Sequence, residues 1–218
     1  MIFPEKLHSF KAEMSLSSRT VYWLGGALYL NVTNRCSNNC YFCFRHYWKG
    51  IGGFNLKLEH EPSVDQVIRE LLKHVHQRRW KEAVFCGFGE PMVRLDCVLE
   101  VTKWIKKHSA LKVRIDTNGH GYLLHPKREV VEELKEAGVD KVSVSLNGHD
   151  EETYNRVCRP TFANAYEGVL AFIQKAKGLL DVEITTVRIP ELDVSKIQNL
   201  ASQLNVGFRL REYVPCFY

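Results

Sequence analysis

Three cysteines constrain this chain more than any other feature of its sequence. They occur in the run Cys36-Ser-Asn-Asn-Cys40-Tyr-Phe-Cys43, and no fourth cysteine stands close by. The run follows Leu28-Tyr-Leu-Asn-Val-Thr33, a short apolar segment that predicts a β-strand. Because thiolates are the preferred ligands of soft metal centres, the run predicts a metal site on a loop at the end of a strand.

The number of cysteines indicates which metal centre this is. Three thiolates on one loop can ligate three irons of a four-iron cluster, whereas ordinary electron-carrying clusters are held by four cysteines. One iron would then stay open to a ligand that is not protein. Zinc is the alternative, because His46 lies three residues after Cys43 and completes a set of three cysteines and one histidine. Structural zinc sites usually draw ligands as two separated pairs, so the spacing favours the iron–sulfur cluster. Arg35 and Arg45 flank the loop and are expected to offset its negative charge.

The composition is that of an ordinary soluble domain. A chain of 218 residues with 45% hydrophobic and 25% charged residues suits one α/β domain. No apolar run is long enough to span a bilayer and no signal-peptide pattern is present, which predicts a cytoplasmic protein without membrane contact. Seven cysteines, three of them clustered, indicate metal chemistry in a reducing compartment. The formal charge of +5 permits an anionic substrate but does not indicate nucleic acid.

The chain is predicted to consist of an N-terminal extension, residues 1–20, and one core domain, residues 21–218. The extension has apolar residues at helical spacing, which predicts a helix packed on the domain or, alternatively, one that docks a partner. They are Phe3, Leu7, Phe10 and Met14. The core domain starts with two apolar arms around Gly25-Gly26, a pattern that predicts a β-hairpin.

Apolar strands and helical segments then alternate to the end of the chain. Strands are predicted at residues 83–86, 112–117, 141–146, 182–187 and 208–213. Helices are predicted after Ser63, whose capping partner is Gln66, from Asp96, between Pro126 and Gly138, across residues 150–177 as one or two helices, and at 194–204. With the second arm of the hairpin, six strands alternate with helices, which is typical of a parallel sheet with helices on its outer face.

Polar and apolar side chains alternate within these strands. Val142 and Val144 share one face of their strand, while Ser143 and Ser145 share the other. The same alternation places Arg114, Asp116, Arg209 and Arg211 on a polar face. Parallel strands buried on both faces should be almost continuously apolar, so a curved sheet with a polar inner face fits better. The predicted fold is therefore α/β, a partial (β/α)6 TIM-like barrel with helices outside and its chemistry at the carboxyl ends of the strands.

Several predicted strand ends carry residues that suit a small ligand. Gly87-Phe88-Gly89-Glu90-Pro91 follows the second strand of the barrel; its glycines permit close backbone approach to a ligand, and Glu90 can accept a hydrogen bond from an ammonium group. Asn118 ends the next strand, where a turn is the simplest explanation. Ser145 and Asn147 follow, and they suit either ribose hydroxyls or hydrogen bonds within a polar barrel.

These motifs resemble those of the radical S-adenosylmethionine (SAM) superfamily. The run Cys36-xxx-Cys40-x-Phe-Cys43 is similar to its signature, and Gly87-Phe-Gly-Glu-Pro91 to its methionine-binding motif. More narrowly, the chain resembles the TatD-associated radical SAM proteins from about Val21 to Tyr213. The stretches concerned are Leu28-Tyr-Leu-Asn-Val-Thr-Asn-Arg-Cys36, Gly52-Gly-Phe-Asn-Leu56, Val84-Phe-Cys-Gly-Phe-Gly-Glu-Pro91, Asp116-Thr-Asn-Gly-His-Gly121 and Val142-Ser-Val-Ser-Leu-Asn147.

The resemblance implies a partial (β/α)6 barrel with a [4Fe–4S] cluster on Cys36, Cys40 and Cys43. The open iron would take the amino and carboxylate groups of S-adenosyl-L-methionine, whose reductive cleavage would give methionine and a 5′-deoxyadenosyl radical that abstracts hydrogen from a substrate. An electron donor such as flavodoxin or ferredoxin is implied. The cofactor-binding residues implied are Phe42, Gly87, Phe88, Gly89, Glu90, Asn118, Ser145 and Asn147.

The substrate is the least constrained part of the prediction, and no catalytic residue is assigned. Late on the last two strands, Arg188, Arg211 and Tyr213 suit a carboxylate or phosphate, or else buried salt bridges. Arg209 is expected deeper, paired with Asp116 or Glu183. The remaining candidates are His46 and His120 for proton transfer, and Cys86, Cys97, Cys158 and Cys216 as dispersed structural thiols.

Three hypotheses for the function follow. The first is a radical SAM enzyme that acts on a nucleotide-like or anionic small molecule. The second is the same chemistry on a peptide or protein substrate, with residues 1–20 and 44–62 as docking surfaces. The third, of another class, is a zinc-stabilised nucleic-acid-binding module.

Overall fold

The sheet begins with the predicted hairpin of β1 (Val21–Leu24) and β2 (Ala27–Leu30), which pair antiparallel. Its turn requires a glycine, because Gly25 has a φ of +57°. The computed structural model describes residues 17–213, so the helix predicted in the N-terminal extension and Cys216 lie outside the described residues.

Seven strands follow the hairpin. They are β3 (Gly50–Ile51), β4 (Phe54–Asn55), β5 (Glu82–Phe85), β6 (Lys112–Thr117), β7 (Lys141–Ser145), β8 (Asp181–Arg188) and β9 (Gly207–Glu212). The sheet order is β1-β2-β5-β6-β7-β8-β9, and every pair after the hairpin is parallel. No pairing within residues 17–213 joins β9 to β1, so the barrel is open. The prediction of six parallel strands in a partial barrel is confirmed.

The small β3–β4 hairpin was not predicted. It pairs only with itself and interrupts the long connection of residues 44–62. Each of its strands is two residues long, which is too short for a pattern of alternating side chains to be visible in the sequence.

The helices lie between the strands, mostly where the sequence predicts them. They are α1 (Val64–Val75), α2 (Leu95–His108), α3 (Gly121–Leu124), α4 (Val130–Ala137), α5 (Glu151–Cys158), α6 (Ala165–Ala176) and α7 (Val194–Gln203). The capping box of Ser63 and Gln66 on α1 is confirmed, as is the end of α4 at Gly138, whose φ is +99°. None of the helices in the described part of the chain is long and apolar enough to cross a lipid bilayer.

Two predicted helix starts are wrong. A 3-10 turn at Pro91–Arg94 leads directly into α2, which therefore begins at Leu95 rather than Asp96. Pro126 does not open α4, because residues 126–129 form a turn in which the Arg128 N–H donates to the His125 carbonyl at 3.1 Å. The Arg128 guanidinium holds that turn against α2 through Asp96 at 2.6 Å.

The inner face of the sheet is polar, as predicted. Arg114 on β6 pairs with Glu82 on β5 at 3.0 Å and also with Asp116. On the other side of the barrel, Glu183 on β8 accepts a hydrogen bond from Arg209 on β9 at 3.0 Å, which confirms the predicted pairing of Arg209. These ion pairs occupy the inner face of the sheet, and Asp116 and Arg209 also border the cavity at the carboxyl ends of the strands.

Candidate functional site

All eleven site residues predicted from the sequence line one cavity of about 430 Å³ at the carboxyl ends of the strands. The three thiols come from the loop after β2, the glycine-rich loop follows β5, and Asn118 follows β6. Ser145 ends β7, and Asn147 follows two residues later. The fold therefore brings together residues from four strand ends that are up to 111 residues apart in sequence, from Cys36 to Asn147.

The segment that leads into the cysteine loop is held by Asn31, which is fully buried. Its Nδ2 donates to the Leu56 carbonyl at 2.7 Å, and its Oδ1 accepts from the Phe88 N–H at 3.0 Å. One side chain therefore joins the end of β2 to the glycine-rich loop and to the long connection.

The two glycines of the glycine-rich loop are also required by packing within the protein, which the sequence did not predict. A Cβ at Gly89 would lie 2.3 Å from the Arg35 carbonyl oxygen, and a Cβ at Gly87 would lie 2.2 Å from Asn31 Oδ1. This loop therefore packs closely against the segment before the cysteines, while both glycines also line the cavity. Backbone hydrogen bonds from Gly89 to the Thr33 carbonyl at 2.9 Å and from Glu90 to the Arg35 carbonyl at 2.8 Å hold the two segments together.

A buried polar network lies behind the cysteine loop, and the sequence did not predict it. Ser37 Oγ is 2.8 Å from His120 Nδ1 and accepts from Asn118 Nδ2 at 2.9 Å. His120 Nε2 is 3.0 Å from the Tyr154 hydroxyl, which also accepts from Asn38 Nδ2 at 3.1 Å. The network connects the cysteine loop to the end of β6 and to α5. His120 is therefore fully enclosed and does not line the cavity, a position that does not favour the suggested role in proton transfer.

The carboxyl end of α5 supports Cys40 from behind. The N–H groups of Asn39 and Tyr41 donate to the carbonyls of Cys158 and Val157 at 3.0 and 3.3 Å. The thiol of Cys158 also forms a hydrogen bond with Cys40, which lowers the pKa of Cys40. Cys158 is buried, as predicted, and it also contacts Cys40, which is one of the three predicted cluster ligands.

The other two thiols differ in their surroundings. Burial, followed by the charge of Glu90, raises the pKa of Cys36 to about 12, although the Asn38 N–H approaches its sulfur at 3.4 Å. Arg45 Nε donates to Cys43 Sγ at 3.1 Å. The positive charge that was predicted to offset the thiolates therefore lies directly against one of them. Arg35 instead pairs with Glu61 at 2.8 Å, with its side chain largely exposed.

Glu90 is 3% exposed and lies where the glycine-rich loop meets β6. Its Oε1 accepts from the Met92 N–H at 3.0 Å and from Thr117 Oγ1 at 2.8 Å, and its Oε2 accepts from the Asn118 N–H at 2.7 Å. Burial raises the pKa of Glu90 to about 7 despite these donors. A cation in the cavity would favour the ionised carboxylate.

The predicted ribose-binding residues are tied to neighbouring strands. Asn147 Oδ1 accepts from the Val187 N–H at 3.0 Å and from Thr186 Oγ1 at 3.2 Å, so this oxygen bridges β7 to β8. Ser145 Oγ accepts from Arg211 Nη2 at 3.3 Å. Both residues line the cavity, and both also support the barrel.

Two further predictions are not met by the geometry. Arg188 does not line the cavity; it pairs with Glu212 at 3.1 Å on the surface. His46 is exposed, and its Nε2 lies 3.0 Å from the Cys40 carbonyl oxygen. Within residues 17–213, no three or more His, Cys, Asp or Glu side chains are grouped closely enough to hold a single metal ion, so the predicted zinc set is not formed.

The donor set fits a cluster better than a single ion. Three thiols of one loop line a common cavity, and Arg45 supplies a positive charge at Cys43. Three separate thiolates around an open space are what a cubane with three protein-bound irons requires.

Cys86, which was predicted to be a structural thiol, lines the cavity and is only partly buried. The cavity also contains residues that the sequence analysis did not single out, among them Thr117, Thr185 and Val187. The alternation of side chains along β8 could have identified two of them, because Thr185 and Val187 lie on the same inward face of the strand as Glu183.

Comparison with known proteins supplies the family. The model of the radical SAM superfamily matches residues 30–204. Curated relatives include a probable GTP 3′,8-cyclase of Thermoplasma volcanium, 29% identical over 86% of this chain and 53% of the relative. A probable GTP 3′,8-cyclase of Thermococcus kodakarensis is 30% identical over 79% of this chain and 51% of the relative. The chain spans about half the length of the curated relatives that it matches.

Solved structures share the fold at low sequence identity. The crystal structure of Streptococcus suis SuiB bound to S-adenosylmethionine aligns with a TM-score of 0.64 at 16% identity, covering 86% of this chain and 40% of SuiB. Methylornithine synthase aligns with a TM-score of 0.61 at 14% identity, covering 87% of this chain and 53% of that structure. Both support the partial barrel described above.

Proposed function

The chain belongs to the radical SAM superfamily, and from that premise we propose that it cleaves S-adenosylmethionine reductively at a [4Fe–4S] cluster and abstracts hydrogen from an anionic or nucleotide-like small molecule. One observation carries the proposal. Three thiols from one loop line the same cavity as the glycine-rich loop and the polar ends of β6 and β7. On the inner face below this cavity, Arg114 is paired with Glu82 and Arg209 with Glu183.

In this proposal Cys36, Cys40 and Cys43 hold the cluster. When bound, the reduced cluster supplies the electron that splits the sulfonium of S-adenosylmethionine into methionine and a 5′-deoxyadenosyl radical. The residues of the chain itself would bind S-adenosylmethionine and orient it in the cavity. Glu90 would accept hydrogen bonds from the methionine ammonium group, and the buried network behind Ser37 fixes the loop against which the cofactor lies.

The nature of the substrate is inferred from charge and from the relatives. Arg211 lines the cavity and presents a positive charge there, which suits a carboxylate or phosphate. Two of the relatives are named as probable cyclases of GTP, a nucleotide with a triphosphate. GTP is therefore the first candidate to test.

One observation favours the alternative of a peptide or protein substrate. Trp48 lines the cavity, and Trp48 and neighbouring Tyr47 are 48% and 47% exposed. Both lie in the connection of residues 44–62, where a longer substrate would meet the protein on its way to the thiols.

The finer assignments belong to the same proposal. The quoted motifs resemble those of the TatD-associated radical SAM proteins. We take residues 21–218 as the core domain and residues 1–20 as an extension to it. The cysteine usage suits a reducing compartment such as the cytoplasm, where a flavodoxin or ferredoxin would supply the electron.

The decisive experiment is anaerobic reconstitution with iron and sulfide, followed by an assay for 5′-deoxyadenosine with a reductant, with and without GTP. We expect a brown protein that forms 5′-deoxyadenosine, and Cys40→Ala should lose both the cluster and the product. Cys97→Ala is the matched control, because Cys97 is buried in α2 outside the cavity. A cluster or product that persists in Cys40→Ala would refute the proposal.

A further inference from the structure

Arg211 is half-buried, and its guanidinium has an incomplete set of partners. Its side chain lies on the inner face of β9 and lines the cavity. Nη2 donates to Ser145 Oγ at 3.3 Å, but Nε is buried without a hydrogen-bond partner. In the described part of the chain, no salt bridge joins Arg211 to a carboxylate.

The neighbouring carboxylate is already occupied. Asp116 is the acidic residue whose charge acts most on Arg211, yet Asp116 forms its ion pair with Arg114. Burial therefore outweighs the nearby negative charge and lowers the pKa of Arg211. Because a guanidinium remains charged under all ordinary conditions, Arg211 is a half-buried cation whose buried Nε has no partner and which forms no salt bridge in the described part of the chain.

The other arginines that line this cavity are paired. Arg209 is bonded to Glu183 at 3.0 Å, and Arg45 is bonded to the sulfur of Cys43 at 3.1 Å. Leaving a charge unpaired in a protein interior costs folding free energy, and a fold tolerates that cost where a ligand completes the site. Unlike Arg209 and Arg45, Arg211 is not bonded to a carboxylate or a thiol in the described part of the chain.

The position of Arg211 relative to the thiols indicates what it would bind. β9 forms the opposite edge of the parallel sheet from β2, after which the cysteines follow, and the curvature of the barrel brings both ends to one cavity. The charges of Arg211 and Cys40 act on each other, so a ligand bound at the thiols also lies within reach of Arg211. The planar guanidinium binds carboxylate and phosphate oxygens in pairs.

We propose that Arg211, held by Ser145, is the anion-binding residue of this cavity and takes a carboxylate or phosphate group of the bound ligand. The inference deepens the function proposed above and rests on it. The anion has two possible sources, the carboxylate of the S-adenosylmethionine methionyl group or an anionic group of the substrate. Arg188, which is paired with Glu212 on the surface, has no part in it.

The first test needs no ligand. Arg211→Met removes an unpaired, half-buried charge, so the thermal midpoint of the ligand-free full chain should stay the same or rise. Arg114→Met, which breaks the pairs with Glu82 and Asp116, should lower it clearly. A fall in Arg211→Met as large as that in Arg114→Met would mean that Arg211 is a structural residue, and would overturn the proposal.

The second test identifies the anion. Binding of S-adenosylmethionine, of its decarboxylated analogue, of GTP and of inorganic pyrophosphate is measured by calorimetry on the cluster-loaded chain. If the methionyl carboxylate is the ligand, Arg211→Met should weaken S-adenosylmethionine binding by about tenfold or more and leave the decarboxylated analogue unaffected. If the substrate supplies the anion, the loss should appear for GTP or pyrophosphate on protein saturated with S-adenosylmethionine.

Arg69→Gln, at an exposed arginine of α1 outside the cavity, serves as the control of equal charge change and should bind every probe as the unmodified chain does. Unchanged binding of all four probes to Arg211→Met would overturn the proposal. Neither test requires turnover, so a failure of the radical chemistry would show separately as an absence of 5′-deoxyadenosine in the assay described above.

Discussion

Ser37 Oγ lies 2.8 Å from His120 Nδ1, in a contact that joins the cysteine loop to the residue two positions after Asn118. Since Asn118 Nδ2 donates to Ser37 Oγ at 2.9 Å, the Ser37 hydroxyl is free to donate its own proton to His120. His120 then carries its proton on Nε2 and donates to the Tyr154 hydroxyl at 3.0 Å. The residue next to Cys36 is thus fixed by a chain of hydrogen bonds that reaches α5.

Ser37→Ala should loosen the loop that carries the predicted ligands. The change leaves Asn118 Nδ2 and His120 Nδ1 without their shared partner inside the protein, which costs about 1–3 kcal/mol of folding free energy. We expect a lower midpoint in urea unfolding and less bound iron and sulfide after anaerobic reconstitution. Ser202→Ala on α7, whose hydroxyl bonds the Gln198 carbonyl on the surface, should change neither. Full iron content and unchanged unfolding in Ser37→Ala would show that the network does not position the loop.

His120 should make the fold sensitive to acid. Burial lowers the pKa of His120 from its ordinary 6.5 to about 4, so the unfolded chain binds a proton more readily than the folded one. Its contribution to stability is complete above about pH 6.5 and is lost as the pH falls towards 4, by roughly 3 kcal/mol in total.

That contribution can be isolated by substitution. His120→Gln keeps a polar side chain but removes the titration, so its free energy of unfolding should fall less steeply between about pH 6.5 and 4 than that of the unmodified chain. Urea unfolding at a series of pH values measures the difference. His60→Gln, at an exposed histidine, should preserve the original slope. Identical slopes for the unmodified chain and His120→Gln would contradict the expectation.

The barrel could be predicted from sequence because each strand carries its own signal. Ser143 and Ser145 alternate with valines on one strand, and that local pattern alone places them on the polar inner face. The cysteine spacing is equally local. Residues whose roles depend on a distant partner could not be recognised: His120 was considered for proton transfer because nothing near it in sequence shows that Ser37 and Tyr154 enclose it.

The glycine-rich loop illustrates the same limit. Its glycines were correctly expected to permit a close approach, but the sequence does not say which surface approaches them. The structure places the Arg35 carbonyl and Asn31 against Gly89 and Gly87. Similarly, an arginine on an inward strand position predicts either an ion pair or a ligand, and only the positions of Glu183 and Asp116 distinguish Arg209 from Arg211.

Gly89→Ala should therefore disrupt the site through the protein rather than through the ligand. The added Cβ would lie 2.3 Å from the Arg35 carbonyl oxygen, which is backbone and cannot turn aside. We expect a loss of about 1–3 kcal/mol in the free energy of unfolding, and weakened binding of S-adenosylmethionine. Gly178→Ala is the matched control, because its nearest neighbour is an ordinary 3.7 Å away, and it should be close to neutral. Equal stability of the two variants would show that the loop can move without cost.

Glu90 should couple the binding of S-adenosylmethionine to pH. Its pKa is raised from 4.5 to about 7 by burial, so much of the free protein carries an uncharged Glu90 at neutral pH and below. If Glu90 accepts hydrogen bonds from the methionine ammonium, binding requires the carboxylate, and a protonated Glu90 must first lose its proton. Affinity should then increase with pH up to about 7 and level off above it, with a slope approaching tenfold per pH unit on the acid side.

Calorimetric titration of the cluster-loaded chain with S-adenosylmethionine between about pH 6 and 8 measures this dependence. Glu90→Gln keeps the size of the side chain and an oxygen for the Met92 and Thr117 donors, but it cannot ionise. It should bind more weakly and without the slope, while Glu133→Gln on α4 should retain both affinity and slope. If the slope persists in Glu90→Gln, another group takes the ammonium, and Glu90 serves only to join the glycine-rich loop to Asn118 through the hydrogen bond at 2.7 Å.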